Sequence, residues 1–180
     1  MNILDRLERG GERLYSKFWY RVLILFGMIL IVGWISLWAH EFGHYWWARN
    51  ILHDDSAYIE FSSNGLMGWT VVSERSFGLY LAGGLFSSIV LFVLWLFVAS
   101  FPHKMTLPVD MSLFIWTVYQ FVYGIFEGVA YWSSDYHSVV KTGQLVGAVV
   151  IAYLVLGVYF DRLVAYIRGD TGVDNKRNTK

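Results

Sequence analysis

The sequence predicts an all-α membrane protein in which four transmembrane helices carry a membrane-associated β-hairpin between the first and the second. Three observations point there. The 180 residues are 56% hydrophobic, 19% aromatic and only 16% charged, which is more apolar surface than one water-soluble domain of this length can bury. Four apolar runs are each long enough to supply the ~20 residues that cross a bilayer core as a helix. Between the first two runs, the hydrophobic pattern changes from a helical period to alternation.

Ahead of the first run, Ile3, Leu4, Leu7, Leu14, Tyr15 and Phe18 recur at helical spacing, with Arg6, Glu8, Arg9, Glu12 and Arg13 between them. Residues 1–20 therefore read as an amphipathic interfacial segment. Residues 22–39 hold no charge and form the first span. The run is longer than a signal-peptide core and ends without a small-x-small cleavage site, so it is expected to stay in the mature protein. Residues 57–62 and 66–72 are rich in β-branched and aromatic side chains. Asn64-Gly65 between them tolerates the positive φ angles of a tight turn, which predicts a hairpin over about 57–72. Residues 77–101 are again uncharged, residues 111–134 contain one acid, Glu127, and residues 142–160 follow Lys141 without a charge.

The two prolines, Pro102 and Pro108, fall between the second and third runs and mark a helical turn there. Gly143 and Gly147 form a small-xxx-small pair suited to close helix packing. Residues 21–168 thus make one transmembrane domain, and the polar, aperiodic residues 169–180 read as a disordered tail. Of the fourteen Lys and Arg, eleven lie on the side of the two termini and three, Arg49, Arg75 and Lys141, on the other. That bias predicts a multi-pass protein with both termini in the cytoplasm. The net charge is zero and the basic residues are scattered, which argues against a nucleic-acid partner. With no cysteine, any metal must be held by His, Asp or Glu.

The end of the first span reads WAHEFGHYWWAR, placing His40, Glu41 and His44 in an H-E-x-x-H pattern. On a helix, two imidazoles four residues apart leave from one face and reach one Zn²⁺, while Glu41, about 100° round the axis, still reaches a water beside the metal. Zinc activates that water, and the glutamate moves its proton during attack on a peptide carbonyl. Three ionisable groups within five residues at the end of an apolar helix are costly in a bilayer unless something holds them. Two imidazoles leave a tetrahedral catalytic site one protein ligand short, and the candidates are Asp135, His137 and Glu127. Asp135, in the Ser-Ser-Asp-Tyr-His junction after the third span, is the preferred one. Glu127, inside that span, is either a ligand or a buried hydrogen-bonded acid. His53 and His103 read as solvated loop residues, and Trp46 and Trp47 as interfacial anchors.

HEFGHYWWAR resembles the metal-binding helix of the site-2 protease family of intramembrane zinc metalloproteases. In that family a membrane-associated hairpin follows the motif. A helix with a GPxxN-like sequence comes next, and then a later helix whose DG aspartate is the third zinc ligand. Here Ala82-Gly83-Gly84-Leu85-Phe86-Ser87 and Asp135 stand at the corresponding points, with Gly84 for the proline, Ser87 for the asparagine and Tyr136 after the aspartate. The resemblance covers roughly residues 20–145. It implies cleavage, with Glu41 as catalytic base and zinc on His40, His44 and Asp135, of transmembrane segments of other membrane proteins. The alternatives are a gluzincin-type membrane protease with Glu127 as third ligand, and a metal-binding adaptor or pseudoprotease that recognises partner helices without cutting them.

Overall fold

In the computed structural model each apolar run is built mainly of one long helix, because a helix satisfies its own backbone where no water can. The structure describes residues 3–62, 68–101 and 103–168, and for residues 3–16 and 103–105 it describes the backbone alone. Helix α1 (Ile3–Asn50) is followed by strands β1 (Tyr58–Phe61) and β2 (Gly68–Val71), then by α2 (Phe77–Ala99), α3 (His103–Ala130) and α4 (Tyr136–Arg168). All four helices are long and apolar enough to span a membrane, as a multi-pass protein requires. The expected tail, residues 169–180, and the Asn64-Gly65 turn lie outside the described residues.

The amino-terminal segment does not form a separate element. Its backbone is helical from Ile3 straight into the span, so α1 continues without a break to Asn50. In their most apolar stretches α2 and α3 are 33% buried, against 17% for α1 and α4, which makes α2 and α3 the middle of the bundle. Their backbones meet at Gly84 and Gly124, where a Cβ on Gly84 would stand 2.3 Å from the Gly124 Cα. On α4, Gly143 seats the side chain of Phe126, so the small-xxx-small pair does mark close packing. One apolar cluster gathers Val32, Leu91 and Leu113, and a second gathers Leu107, Met111 and Tyr159.

The proline segment departs from expectation. Helix α2 ends at Ala99 with Ser100 as its C-cap, and α3 starts at His103, so Pro108 lies inside a helix. So near the helix start, a proline forfeits a single backbone hydrogen bond, and the helix runs through it.

The hairpin is antiparallel, with Tyr58 opposite Val71 and Phe61 opposite Gly68. The Trp69 Nε1–H donates to Glu60 Oε2, its cross-strand partner, at 2.9 Å. A lone hairpin is marginal in water, and this one is tied to α1. The Phe61 ring lies 4.7 Å from that of Trp38, and Ala57 is buried with Ala48 and Leu79 beneath Trp47 and Val72. Trp47 is therefore packed rather than interfacial: its indole covers Gly78, where a Cβ would come within 2.3 Å. Trp46 remains 42% exposed, as an interfacial anchor would. Asp54 clips the hairpin base by accepting from the Ser56 hydroxyl at 2.6 Å and from the Ser73 N–H at 2.7 Å.

Candidate metal centre

His40 and His44 stand one turn apart on the buried face of α1, and their Nε2 atoms are 3.0 Å from each other. From α3, Glu127 brings Oε2 to 3.2 Å from His40 Nε2 and Oε1 to 3.7 Å from His44 Nε2. All three side chains are buried. Four-coordinate zinc has metal–ligand distances of roughly 2.0–2.2 Å, which puts neighbouring ligand atoms about 3.3 Å apart. The observed separations bracket that edge.

The hydrogen bonds around the cluster set which ring nitrogens face it. The Ser36 hydroxyl donates to the Gly33 carbonyl at 2.7 Å and so acts only as an acceptor toward Gln120. Gln120 must turn its Nε2 to Ser36, at 3.2 Å, which leaves its Oε1 facing His40 Nδ1 at 3.0 Å. His40 Nδ1 therefore donates, which leaves Nε2 as the ring nitrogen that faces the cluster. His44 Nδ1 faces the Leu79 carbonyl at 2.6 Å and donates there, with the same result. Two imidazole Nε2 atoms and a carboxylate thus converge on one point. Beyond its contact with His40, Glu127 Oε2 has no hydrogen-bond partner among the described residues although it is buried, while Oε1 accepts from the Tyr136 hydroxyl at 3.1 Å. Such a donor set suits a cation between its members, so the buried His40, His44 and Glu127 group is able to hold a metal ion.

Glycine at position 83 keeps the centre open. A Cβ there would lie 2.4 Å from His44 Nε2 and 2.8 Å from His40 Nε2. Ser87, one turn further along α2, donates its hydroxyl to the Ser36 carbonyl at 2.9 Å. The segment Ala82 to Ser87 thereby forms the wall of the site nearest the histidines.

Glu41, the next residue round α1, is not part of the cluster but lines the same cavity, of about 610 Å³. Its Oε2 accepts from the Thr70 hydroxyl at 3.0 Å, so β2 holds the carboxylate. Residues 69–72 line the cavity, joined by Arg75, Tyr80, Tyr119, Tyr123 and Tyr136.

Asp135, the preferred third ligand from sequence, is not brought to the histidines. It is exposed at the head of α4, where its Oδ1 accepts from the Ser138 N–H at 3.1 Å. Aspartate just before a helix is drawn into capping that helix, and this satisfies the carboxylate locally. His137 is likewise exposed, against the Tyr136 ring. Glu127, the alternative, closes the group. Gln120 and Tyr136 were not singled out from sequence, although Gln120 and Glu127 are seven residues apart and share one face of α3. Compared with known proteins, the chain matches no family model, no curated protein and no solved structure.

Proposed function

We propose that this chain is an intramembrane zinc metalloprotease that hydrolyses peptide bonds in or near transmembrane segments of other membrane proteins. The observation that carries the reading is the convergence of two imidazole Nε2 atoms and Glu127 beside a separate carboxylate, Glu41, held in the same cavity. A donor set of two imidazoles and one carboxylate without thiolate suits zinc in an open catalytic site. His40, His44 and Glu127 would hold the ion, and the Gln120 and Leu79 contacts would orient the rings. Zinc, when bound, polarises the peptide carbonyl and makes water acidic enough to give up a proton near neutrality. Glu41 accepts the proton from the attacking water and returns it to the departing amine, and Thr70 keeps that carboxylate in place meanwhile.

The strand supplies the remaining requirement. A peptide bond in a helix has to be unwound before attack, and pairing along the free edge of β2 offsets the backbone hydrogen bonds lost. The order of an H-E-x-x-H helix, a hairpin and a small-residue helix supports likeness to the site-2 protease family. A glutamate as third ligand departs from that pattern and follows the gluzincin-type alternative. The bias of Lys and Arg supports termini in the cytoplasm.

The test is metal analysis and turnover of a membrane-segment peptide by purified protein. Wild-type chain should carry zinc at one equivalent and cut, and His44→Ala should lose the metal. Glu41→Gln should keep it while cleaving about a hundredfold more slowly or worse. Zinc retained by a wild-type protein whose processing is indifferent to Glu41→Gln would instead identify a metal-binding adaptor.

A further inference from the structure

Among the described residues, Arg75 is the one Lys or Arg that lines the cavity of the metal centre. It lies in the connector between β2 and α2 and is exposed, which places it at the cavity's mouth. No carboxylate pairs with it among the described residues. The ion pairs present there are Arg49 with Asp55 and the two histidine contacts of Glu127. A guanidinium is always charged, and it presents a planar fork matched to a carboxylate. Left without a partner at the edge of an apolar bundle, it gains more from an incoming anion than a freely solvated arginine does.

The charges within the cavity sharpen this. Glu41 and Glu127 are the acids that line it, and together they balance one divalent cation. The charge of Arg75 is then left over, so the loaded cavity is complementary to a substrate with a single negative charge near the bond that is cut. The phenols of Tyr80, Tyr119 and Tyr123, also in the lining, welcome an apolar segment but do not neutralise Arg75.

On the proposed proteolytic reading, we infer that Arg75 selects peptides bearing a carboxylate, from an Asp or Glu side chain or from a chain end, within a few residues of the scissile bond. Arg75 is a specificity residue and takes no part in moving protons.

The experiment reads binding, so that it does not depend on cleavage. Zinc-loaded wild-type protein, in which Glu41 keeps the charge balance, is titrated in neutral detergent into fluorescein-labelled peptides of one apolar sequence, and binding is read in the first seconds after mixing. These carry a single Asp, an Asn in its place, or an amidated or free carboxy terminus. The Asp or free-terminus peptide should bind about tenfold more tightly than its neutral counterpart, the equivalent of one charge-assisted contact. Adding Arg75→Gln should erase the difference, and Arg75→Glu should turn the preference toward a Lys-bearing peptide. Equal binding of acidic and neutral peptides, or a preference that survives Arg75→Gln, overturns the inference. So does a preference that disappears in nanodiscs of phosphatidylglycerol but not of phosphatidylcholine, since Arg75 would then serve lipid phosphate. If Glu41-dependent cleavage is found without the preference, only the role of Arg75 fails. If the preference is found without cleavage, only the proteolytic reading fails.

Discussion

Tyr136 donates its hydroxyl to Glu127 Oε1 at 3.1 Å, so the first residue of α4 orients the carboxylate that α3 sends to the histidine pair. Outer partners of this kind typically tune metal affinity by roughly 10–100-fold. Tyr136→Phe keeps the ring and removes the donor. It should weaken zinc affinity by at least about tenfold in a chelator competition while leaving the helical circular dichroism unchanged.

The two acids compared from sequence should separate cleanly. Glu127→Gln removes a ligand from a buried centre, and bound metal should fall to background. Asp135→Ala should leave one equivalent of metal and instead lower stability by about 1 kcal/mol, the usual cost of a lost N-cap. Metal content and thermal unfolding of both variants check the pair, and metal loss in Asp135→Ala would reverse the assignment.

Adjacent glycines should fail in different ways. At Gly83 the added methyl meets imidazole tips 2.4 and 2.8 Å away, so Gly83→Ala should fold yet bind metal poorly. At Gly84 it meets backbone, the Gly124 Cα at 2.3 Å and the Gln120 carbonyl at 2.6 Å. Gly84→Ala has to push α2 and α3 apart, and it should cost more stability than its neighbour, measured as a lower unfolding midpoint in detergent.

Asp54, which lies outside the spans, is held well below the usual carboxylate range by the Ser56 hydroxyl first and then by the Ser73 N–H. A carboxyl depressed by folding contributes stability that is complete above its unfolded pKa of about 4 and is lost as pH falls from there toward the lower folded value. The Ser73 amide should therefore stay protected from hydrogen exchange at neutral pH and lose protection, relative to its intrinsic rate, only below about pH 4. Asp54→Asn should show reduced protection at neutral pH.

The spans, the hairpin and the paired imidazoles were legible because each is a local pattern: an apolar run, a change of period, a four-residue spacing on one helix. The third ligand was not. Whether Glu127 or Asp135 meets the histidines depends on how α3 is rotated within the bundle, and that rotation rests on contacts between residues distant in sequence, such as Gly84 of α2 with Gly124 of α3. The cost of an acid within a span did mark Glu127 as needing a partner. Asp135 was favoured for its place at a helix junction, yet that same place commits it to the Ser138 N–H. Trp47 misled for a similar reason, since its burial depends on Gly78 leaving a hollow in the facing helix.

Because His40 and His44 belong to α1 and Glu127 to α3, any ion seated among them acts as a rivet through two of the four helices. Cohesion of the bundle then depends on the surrounding free-ion concentration, gaining about 2.7 kcal/mol once that concentration is a hundredfold above the dissociation constant. Starved of metal, the bundle loosens first along the seam where chemistry would occur, so an idle centre is also a softened one.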